Sequence, residues 1–253
     1  MIDITDVSKA FQGRAGAVDA VQGINHAVAA GEFVAIIGRS GCGKSTLLRL
    51  IAGLLQPTSG RVVVDGTVMT KPRRDIALMF QEPALLPWRS VLDNVLLPIE
   101  FAGLRRSAYL SRAGDLLDMV GLAEFHRRLP HELSGGMQQR VALCRSLLMQ
   151  PRVMLMDEPF SALDALTRSE LAVELQRVHM ENMATIVFVT HSIEEAVLLA
   201  DRVVVMTPRP GRIRNVLDVP IPRPRSLGRN AHLEDVAQIS AELHELLVSS
   251  PGQ

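Results

Sequence analysis

The sequence predicts an α/β fold in which a mostly parallel sheet is covered by helices, with a small antiparallel β region and an inserted helical lobe added to it. Three observations in the 253 residues predict it. From residue 33 to residue 206, short apolar runs alternate with helix-forming stretches, the pattern of strands buried on both faces and joined by helical crossovers. One of those runs, residues 33–37, ends directly in a glycine-rich loop. Between Val91 and Leu129 the alternation stops, and Leu110, Ala113, Leu116, Leu117, Val120 and Leu122 recur at helical spacings.

Taken in order, residues 33–37 form a strand, the loop from Gly38 follows, and residues 46–52 continue as a helix. Pro57-Thr58-Ser59-Gly60 punctuates before a strand at 61–64, and Asp65-Gly66 is a turn signal, so a β-rich region is attached here. Residues 76–80 are a further buried strand that delivers Gln81 at its end. Gly103 and Gly121 break the helical lobe. Ser134 caps a helix over about 136–149, which Pro151 ends. Strands at 153–156, 185–189 and 203–206 alternate with helices at 163–180 and 193–200. Residues 207–229 are rich in Pro, Gly and Arg and lack periodicity, which reads as a solvated linker, and a last helix covers about 233–247. There is no internal repeat and only one copy of each nucleotide motif.

Lysine plus arginine and aspartate plus glutamate each number 27, so no global field attracts nucleic acid or anionic lipid. Any role on either must be local or indirect, and no direct nucleic-acid partner is expected. The length suits one nucleotide-binding domain with an inserted lobe. No basic region followed by an apolar run opens the chain, and no apolar stretch approaches the roughly 20 residues of a membrane span. The expectation is a cytosolic chain that does not cross a bilayer. Cys42 and Cys144 lack metal-site spacing and no disulfide is expected, which suits a reducing compartment.

The run Gly38-Arg39-Ser40-Gly41-Cys42-Gly43-Lys44-Ser45-Thr46 is a phosphate-binding loop. Its glycines let the backbone curl so that successive N–H groups face phosphates, and the following helix adds its positive end. Lys44 is expected to bridge β- and γ-phosphates and the Ser45 hydroxyl to ligate Mg2+. Asp157 and Glu158 follow four apolar strand residues, which puts two carboxylates at the C-terminal edge of the sheet, where ligands of parallel α/β folds gather. Asp157 would hold Mg2+ through water, and Glu158 would orient or deprotonate the attacking water. Gln81 and His191 also stand at strand ends; Gln81 reads either as a contact to Mg2+ or water or as a plain surface glutamine. His191 either donates a hydrogen bond to γ-phosphate or is a satisfied structural histidine. The core is thus that of a P-loop nucleotide hydrolase, an ATPase of unspecified type.

The run Leu133-Ser134-Gly135-Gly136-Met137-Gln138-Gln139-Arg140, together with Gln81, Ser161-Ala162-Leu163-Asp164 and His191 in that order, resembles the motif set of ATP-binding-cassette proteins over residues 33 to about 206. The resemblance implies a single cassette over 1–253. Residues 1–81 and 150–206 would be the nucleotide-binding core, 82–149 the segment after Gln81 with the helical lobe and signature helix, and 207–253 a C-terminal extension. It implies that two cassettes sandwich two ATP molecules. Ser134, Gly135 and Gly136 would then face the γ-phosphate held by the partner's Lys44, while Ser161 and Asp164 line the interface. Weak hydrolysis by an isolated monomer follows. Phe11 resembles the aromatic residue that stacks on adenine, its alternative being a core position. Arg39 stands where relatives often have proline and Cys144 where many have alanine; neither replaces a phosphate ligand.

Residues 79–95, and Leu86-Pro87-Trp88-Arg89 above all, are similar to cassette subunits of importers for nitrate, alkanesulfonates, taurine and related compounds, and residues 207–213 with Pro222-Arg223-Pro224-Arg225 also look like the tail of that group, the solvated linker being the alternative that composition favours. By that similarity Leu85, Leu86 and Trp88 would receive a short helix of a membrane subunit; the alternative for Trp88 is packing of the lobe onto the core. The implied assembly is a second cassette, two integral membrane permease subunits and an extracytoplasmic solute-binding protein, with this chain peripheral on the cytoplasmic face of the inner membrane. A soluble cassette ATPase acting on nucleic acid or the ribosome, and an ATP-binding regulatory protein, are the competing classes.

Overall fold

The computed structural model describes residues 1–13, 16–225 and 232–248. In chain order it runs β1 (Ile2–Gly13), β2 (Gly16–Val28), β3 (Phe33–Ile37), α1 (Lys44–Ile51), β4 (Ser59–Val64), β5 (Thr67–Val68), β6 (Ile76–Met79), α2 (Val91–Ala102), α3 (Leu110–Met119), α4 (Gly135–Leu147), β7 (Val153–Asp157), α5 (Ala165–Asn182), β8 (Thr185–Val189), α6 (Ile193–Leu199), β9 (Arg202–Met206), β10 (Ile213–Asp218) and α7 (Leu233–Val248).

A six-stranded sheet with the order β10-β9-β3-β8-β7-β6 forms the centre. Every neighbouring pair from β9 to β6 is parallel, and only β10 runs antiparallel to its neighbour. The inner strands β3, β7 and β8 are buried along their whole length, which is why their sequences are apolar but for Asp157 and Thr185 at strand ends. Alternate side chains serve two cores. Phe33, Ala35, Met154, Met156, Ile186 and Phe188 face the helical side, while Val34, Ile36, Val153, Leu155, Val187 and Val189 face α1 and the second sheet. Each large side chain so buried contributes on the order of 1.5–3 kcal/mol. Because the strands are parallel, their C-terminal ends all open on one edge, and the loops after β3, β6, β7 and β8 gather there.

The second sheet is antiparallel, in the order β2-β1-β4-β5. Its turn at Asp65-Gly66 has φ of 49° and 70°, both in the left-handed region that a two-residue hairpin requires. The long pair β1 and β2 was not legible beforehand, because register shifts between Ile4 and Ala10 break the alternation of apolar residues along β1.

In the helical lobe, α2 ends at Gly103 (φ 69°), and Gly121 (φ 70°) follows the end of α3. α4 starts at Ser134, whose hydroxyl accepts from the Met137 N–H at 3.2 Å. α5 begins two residues later than the apolar pattern suggests, because Asp164 caps it by accepting from the Thr167 N–H at 3.0 Å. Both cysteines are buried and free.

The Pro/Arg-rich segment is corrected by the structure. Residues 213–218 form the edge strand β10, and two of the arginines are not a solvated linker. Arg225 is only 4 % exposed and donates to the carbonyls of Ile221, Val197, Ala200 and Val219. Arg223 donates to the Leu199 carbonyl and to Asp201. Together they satisfy the open carbonyls at the end of α6, where a cation also suits the helix dipole. Residues 226–229 of that segment, like 249–253 of the C-terminal extension, lie outside the described residues.

Candidate functional site

The phosphate loop joins β3 to α1 and is built by close approach. A Cβ at Gly38 would stand 2.8 Å from the Cys42 sulfur, and one at Gly43 would stand 2.6 Å from Val21 Cγ1 and 2.7 Å from the Ala20 carbonyl oxygen. Gly41 (φ 76°) and Gly43 (φ 99°) take left-handed conformations, which curl the chain before α1. Arg39, Ser40 and Gly41 are exposed at the rim, Gly43, Ser45 and Thr46 half-buried, and Cys42 buried beneath. Lys44 is buried, and its ammonium donates to the carbonyls of Gly38 (2.8 Å) and Arg39 (3.3 Å). The cation is thereby held inside the curl, where a phosphate chain would lie. Burial pushes the Cys42 thiol pKa up, opposed by the nearby Lys44 charge.

β7 delivers the carboxylates. Asp157 is buried and its Oδ1 accepts from the Ser45 hydroxyl at 2.9 Å, so the loop and the acidic strand end meet. Burial raises the Asp157 pKa, with the Ser45 hydrogen bond opposing and the Glu158 charge reinforcing the rise. A desolvated carboxylate beside a hydroxyl is an oxygen pair that suits a hard divalent cation.

Glu158 lies in the left-handed region (φ 47°), an unusual conformation for a side-chain-bearing residue, held by its N–H donating to the Val189 carbonyl at 2.9 Å. The turn aims its carboxylate at the residues from β6 and β8. Gln81 Nε2 donates to Glu158 Oε2 at 3.2 Å, and His191 Nδ1 lies 3.5 Å from the same oxygen. Lys44, Ser45, Asp157, Glu158, Gln81 and His191 thus share the C-terminal edge of one sheet. Gln81 turns its amide N–H to Glu158, and among the described residues no hydrogen bond joins it to Asp157 or Ser45.

Ser134 and Gly135 are exposed at the start of α4, and a Cβ at Gly135 would meet nothing within 4 Å. Gly136 approaches the loop before α5, where a Cβ would stand 3.1 Å from Leu163 Cδ2 and 3.3 Å from the Ala162 carbonyl oxygen. Among the described residues no hydrogen bond links Ser134, Gly135 or Gly136 to the phosphate loop of the same chain. Ser161 and Asp164 are exposed beside them. The Thr167 N–H bond holds the Asp164 pKa low.

Phe11 lies on the β1–β2 hairpin opposite Val18, is 42 % exposed and carries the Lys9 ammonium 5.4 Å from its ring centroid, so the core alternative fails. Trp88 is 71 % exposed, which excludes its packing the lobe onto the core. Leu85 and Leu86 are half-buried beside it. Near this loop, a groove of about 360 Å³ between β6, α2 and α4 is lined by Ile76, Leu78, Phe80, Phe101, Arg145 and neighbours.

Several positioning residues escaped the sequence reading. Asn94, fully buried in α2, accepts from the Leu86 N–H (2.7 Å) and donates to the carbonyls of Leu86, Arg89 and Ser90, which shapes the loop that presents Trp88. From α4, Gln139 donates to the Gln81 carbonyl at 3.3 Å, and Arg145 donates to those of Pro83 and Ala84. The helix that begins at Ser134 therefore grips the segment after Gln81. Glu195 of α6 is buried, accepts from the Thr190 hydroxyl and lies 3.6 Å from Arg168 Nε, which steadies the turn carrying His191.

The family model described as "ABC transporter" matches residues 21–161. The nitrate import ATP-binding protein of Synechococcus elongatus is 44 % identical, with 95 % of this chain and 89 % of that one covered. The taurine import ATP-binding protein of Burkholderia thailandensis is 47 % identical, over 84 % and 82 %. A solved dimeric ATP-binding cassette in a post-hydrolysis state, bound to ADP and Pi, superposes with a TM-score of 0.80 at 32 % identity, covering 87 % of this chain and 99 % of that one.

Proposed function

This chain belongs to the ABC transporter family, as an ATP-hydrolysing subunit, and we propose that it drives import of a small solute such as nitrate, a sulfonate or a related compound. The observation that carries the reading is the meeting of phosphate loop, carboxylate pair, Gln81 and His191 on one sheet edge, on a chain so similar to import ATPases.

In the proposed cycle the N–H groups of residues 41–46 bind the phosphates, and Lys44 leaves its loop carbonyls to contact the β- and γ-phosphates. Mg2+ held through Ser45 and Asp157 would supply charge neutralisation between those phosphates. Glu158 orients the attacking water and accepts its proton, while Gln81 and His191 hold the Glu158 carboxylate and face the γ-phosphate. Phe11 stacks on adenine. Ser134, Gly135 and Gly136 serve the nucleotide of a second copy, for which the exposure of Ser134 and Gly135 leaves the helix start open, and Ser161 and Asp164 line the same contact.

The proposed assembly pairs two cassettes with two integral membrane permease subunits and an extracytoplasmic solute-binding protein. Among the described residues no helix is long and apolar enough to cross a membrane, so the conduit would come from those partners. The chain would sit peripherally on the cytoplasmic face of the inner membrane, with the exposed Trp88 and the adjoining groove as the attachment surface. One cassette over 1–253 is the proposed unit, its core at 1–81 and 150–206, its lobe at 82–149 and its extension at 207–253. The test is to solubilise membranes in mild detergent with ATP and affinity-purify the tagged Glu158→Gln form. A co-purifying multi-spanning membrane protein is expected; soluble or nucleic-acid partners alone, with ATP still bound, would overturn the importer reading.

A further inference from the structure

We propose that Gly211, in the loop between β9 and β10, is a positioning residue for the phosphate loop, acting as a backbone wedge under the Cys42–Gly43 peptide. The proposal rests on the nucleotide-binding reading of that loop and adds a residue from outside its motif. Gly211 is buried, and its N–H donates to the Ala20 carbonyl at 3.0 Å while its own carbonyl accepts from the Gln22 N–H at 2.9 Å. This makes a parallel bridge with Val21 of β2. A Cβ on Gly211 would stand 2.0 Å from the Cys42 carbonyl oxygen and 2.9 Å from Met206 Cε. Gly43, on the next peptide, is wedged against Ala20 and Val21 in the same way. Phosphate loop, β2 and residue 211 therefore meet at close quarters, Gly211 against the Cys42 backbone and Gly43 against the Ala20 carbonyl and the Val21 side chain.

The wedge is itself braced. Thr207 donates its hydroxyl to the Pro210 carbonyl at 3.2 Å and accepts from the Arg212 N–H at 3.0 Å, and the Thr207 N–H donates to the Arg212 carbonyl at 2.9 Å. Arg212 also donates to the Gln22 side chain at 2.6 Å. The Gly211 φ is outside the left-handed range, so alanine meets no left-handed strain there and its methyl acts through the collision. To restore a 3.0 Å contact, the Cys42 carbonyl must retreat by about 1 Å, and the N–H groups that face phosphate move with it. Displacements of that size cost up to about a hundredfold where groups must converge on a ligand.

The experiment measures ATP and ADP dissociation constants of the full chain by calorimetry for wild type, Gly211→Ala and Thr207→Val, with the nucleotide-free melting temperature of each and the split between KM and kcat. Gly211→Ala is expected to weaken ATP and ADP alike by roughly 10- to 100-fold, raising KM more than it lowers kcat, in a chain that still folds but whose nucleotide-free melting temperature falls by roughly 2–12 °C from the buried collision. Thr207→Val, which loosens the brace without a collision, is expected to shift affinity a few-fold in the same direction. A folded Gly211→Ala with wild-type affinity overturns the assignment, as does an unfolded Gly211→Ala paired with unchanged affinity in Thr207→Val. A wild-type chain that itself bound no ATP would strike the nucleotide reading, a separate failure.

Discussion

Arg225 offers a quantitative test of how firmly the C-terminal segment is joined to the core. Its guanidinium is almost fully buried and donates to Ile221 (2.8 Å), Val197 (2.7 Å), Ala200 (2.7 Å) and Val219 (3.1 Å). Desolvation pushes its pKa down to about 10, so it remains charged at neutral pH. A hydrogen bond from a charged donor is worth roughly 1.5–3 kcal/mol, but burying the charge costs several kcal/mol in return. Arg225→Met keeps the aliphatic volume and leaves four neutral carbonyls without their donor, each costing about 1–3 kcal/mol, partly offset because no charge is then desolvated, for a net loss of about 3–5 kcal/mol. At about 2–4 °C per kcal/mol for a chain of this size, the melting temperature should fall by roughly 6–20 °C. Thermal unfolding followed by circular dichroism measures it, and Arg225→Lys, whose ammonium cannot span the same carbonyls, should fall part of the way. A drop under about 2 °C for Arg225→Met would show that water replaces the guanidinium freely, and would refute the reasoning.

Glu158→Gln should keep ATP binding, lower kcat by about 10²- to 10⁴-fold and accumulate an ATP-bound dimer on size exclusion; unchanged phosphate release would remove Glu158 from its role. Trp88→Ala should leave melting and nucleotide affinity unchanged, because the ring is mostly in solvent, and should weaken capture of a membrane subunit in pull-downs; a fall in melting temperature would restore the packing role. Burial raises the Glu195 pKa against the opposing Thr190 and Arg168 contacts, so its contribution to stability is present below the unfolded value and is lost as pH rises through the folded one. Glu195→Gln should therefore be more heat-stable than wild type at pH 7, with the difference shrinking as pH falls through the carboxylate range; a gap that widened on acidification would reverse the sign.

Local chemistry made much of this protein legible before any fold was known. The inner strands announce themselves because burial on both faces demands nearly continuous apolar runs, as in Phe33–Ile37 and residues 186–189. Ser134, Gly103 and Gly121 mark helix ends because capping and left-handed backbone are nearest-neighbour requirements. The phosphate loop and Asp157-Glu158 follow the same logic, since the anion cradle is local backbone and the acids simply end a strand.

Other features depended on which segments meet. β10 is an edge strand with a half-exposed, mixed pattern, and only its pairing with β9 distinguishes it from a linker. Arg225 reads as a solvent cation until the end of α6 presents carbonyls to it, and Asn94 reads as a helix polar residue until the Trp88 loop folds over it. Gly211 has no distinguishing conformation of its own; its need to be glycine comes from the Cys42 carbonyl across the fold. Sequence alone therefore determined which candidate polar groups follow the apolar runs and the periodicity that places each at a strand end. Only the tertiary structure decided which groups share a hydrogen bond, which arginines are buried and which glycines are wedges, because those properties belong to pairs of segments distant in the chain.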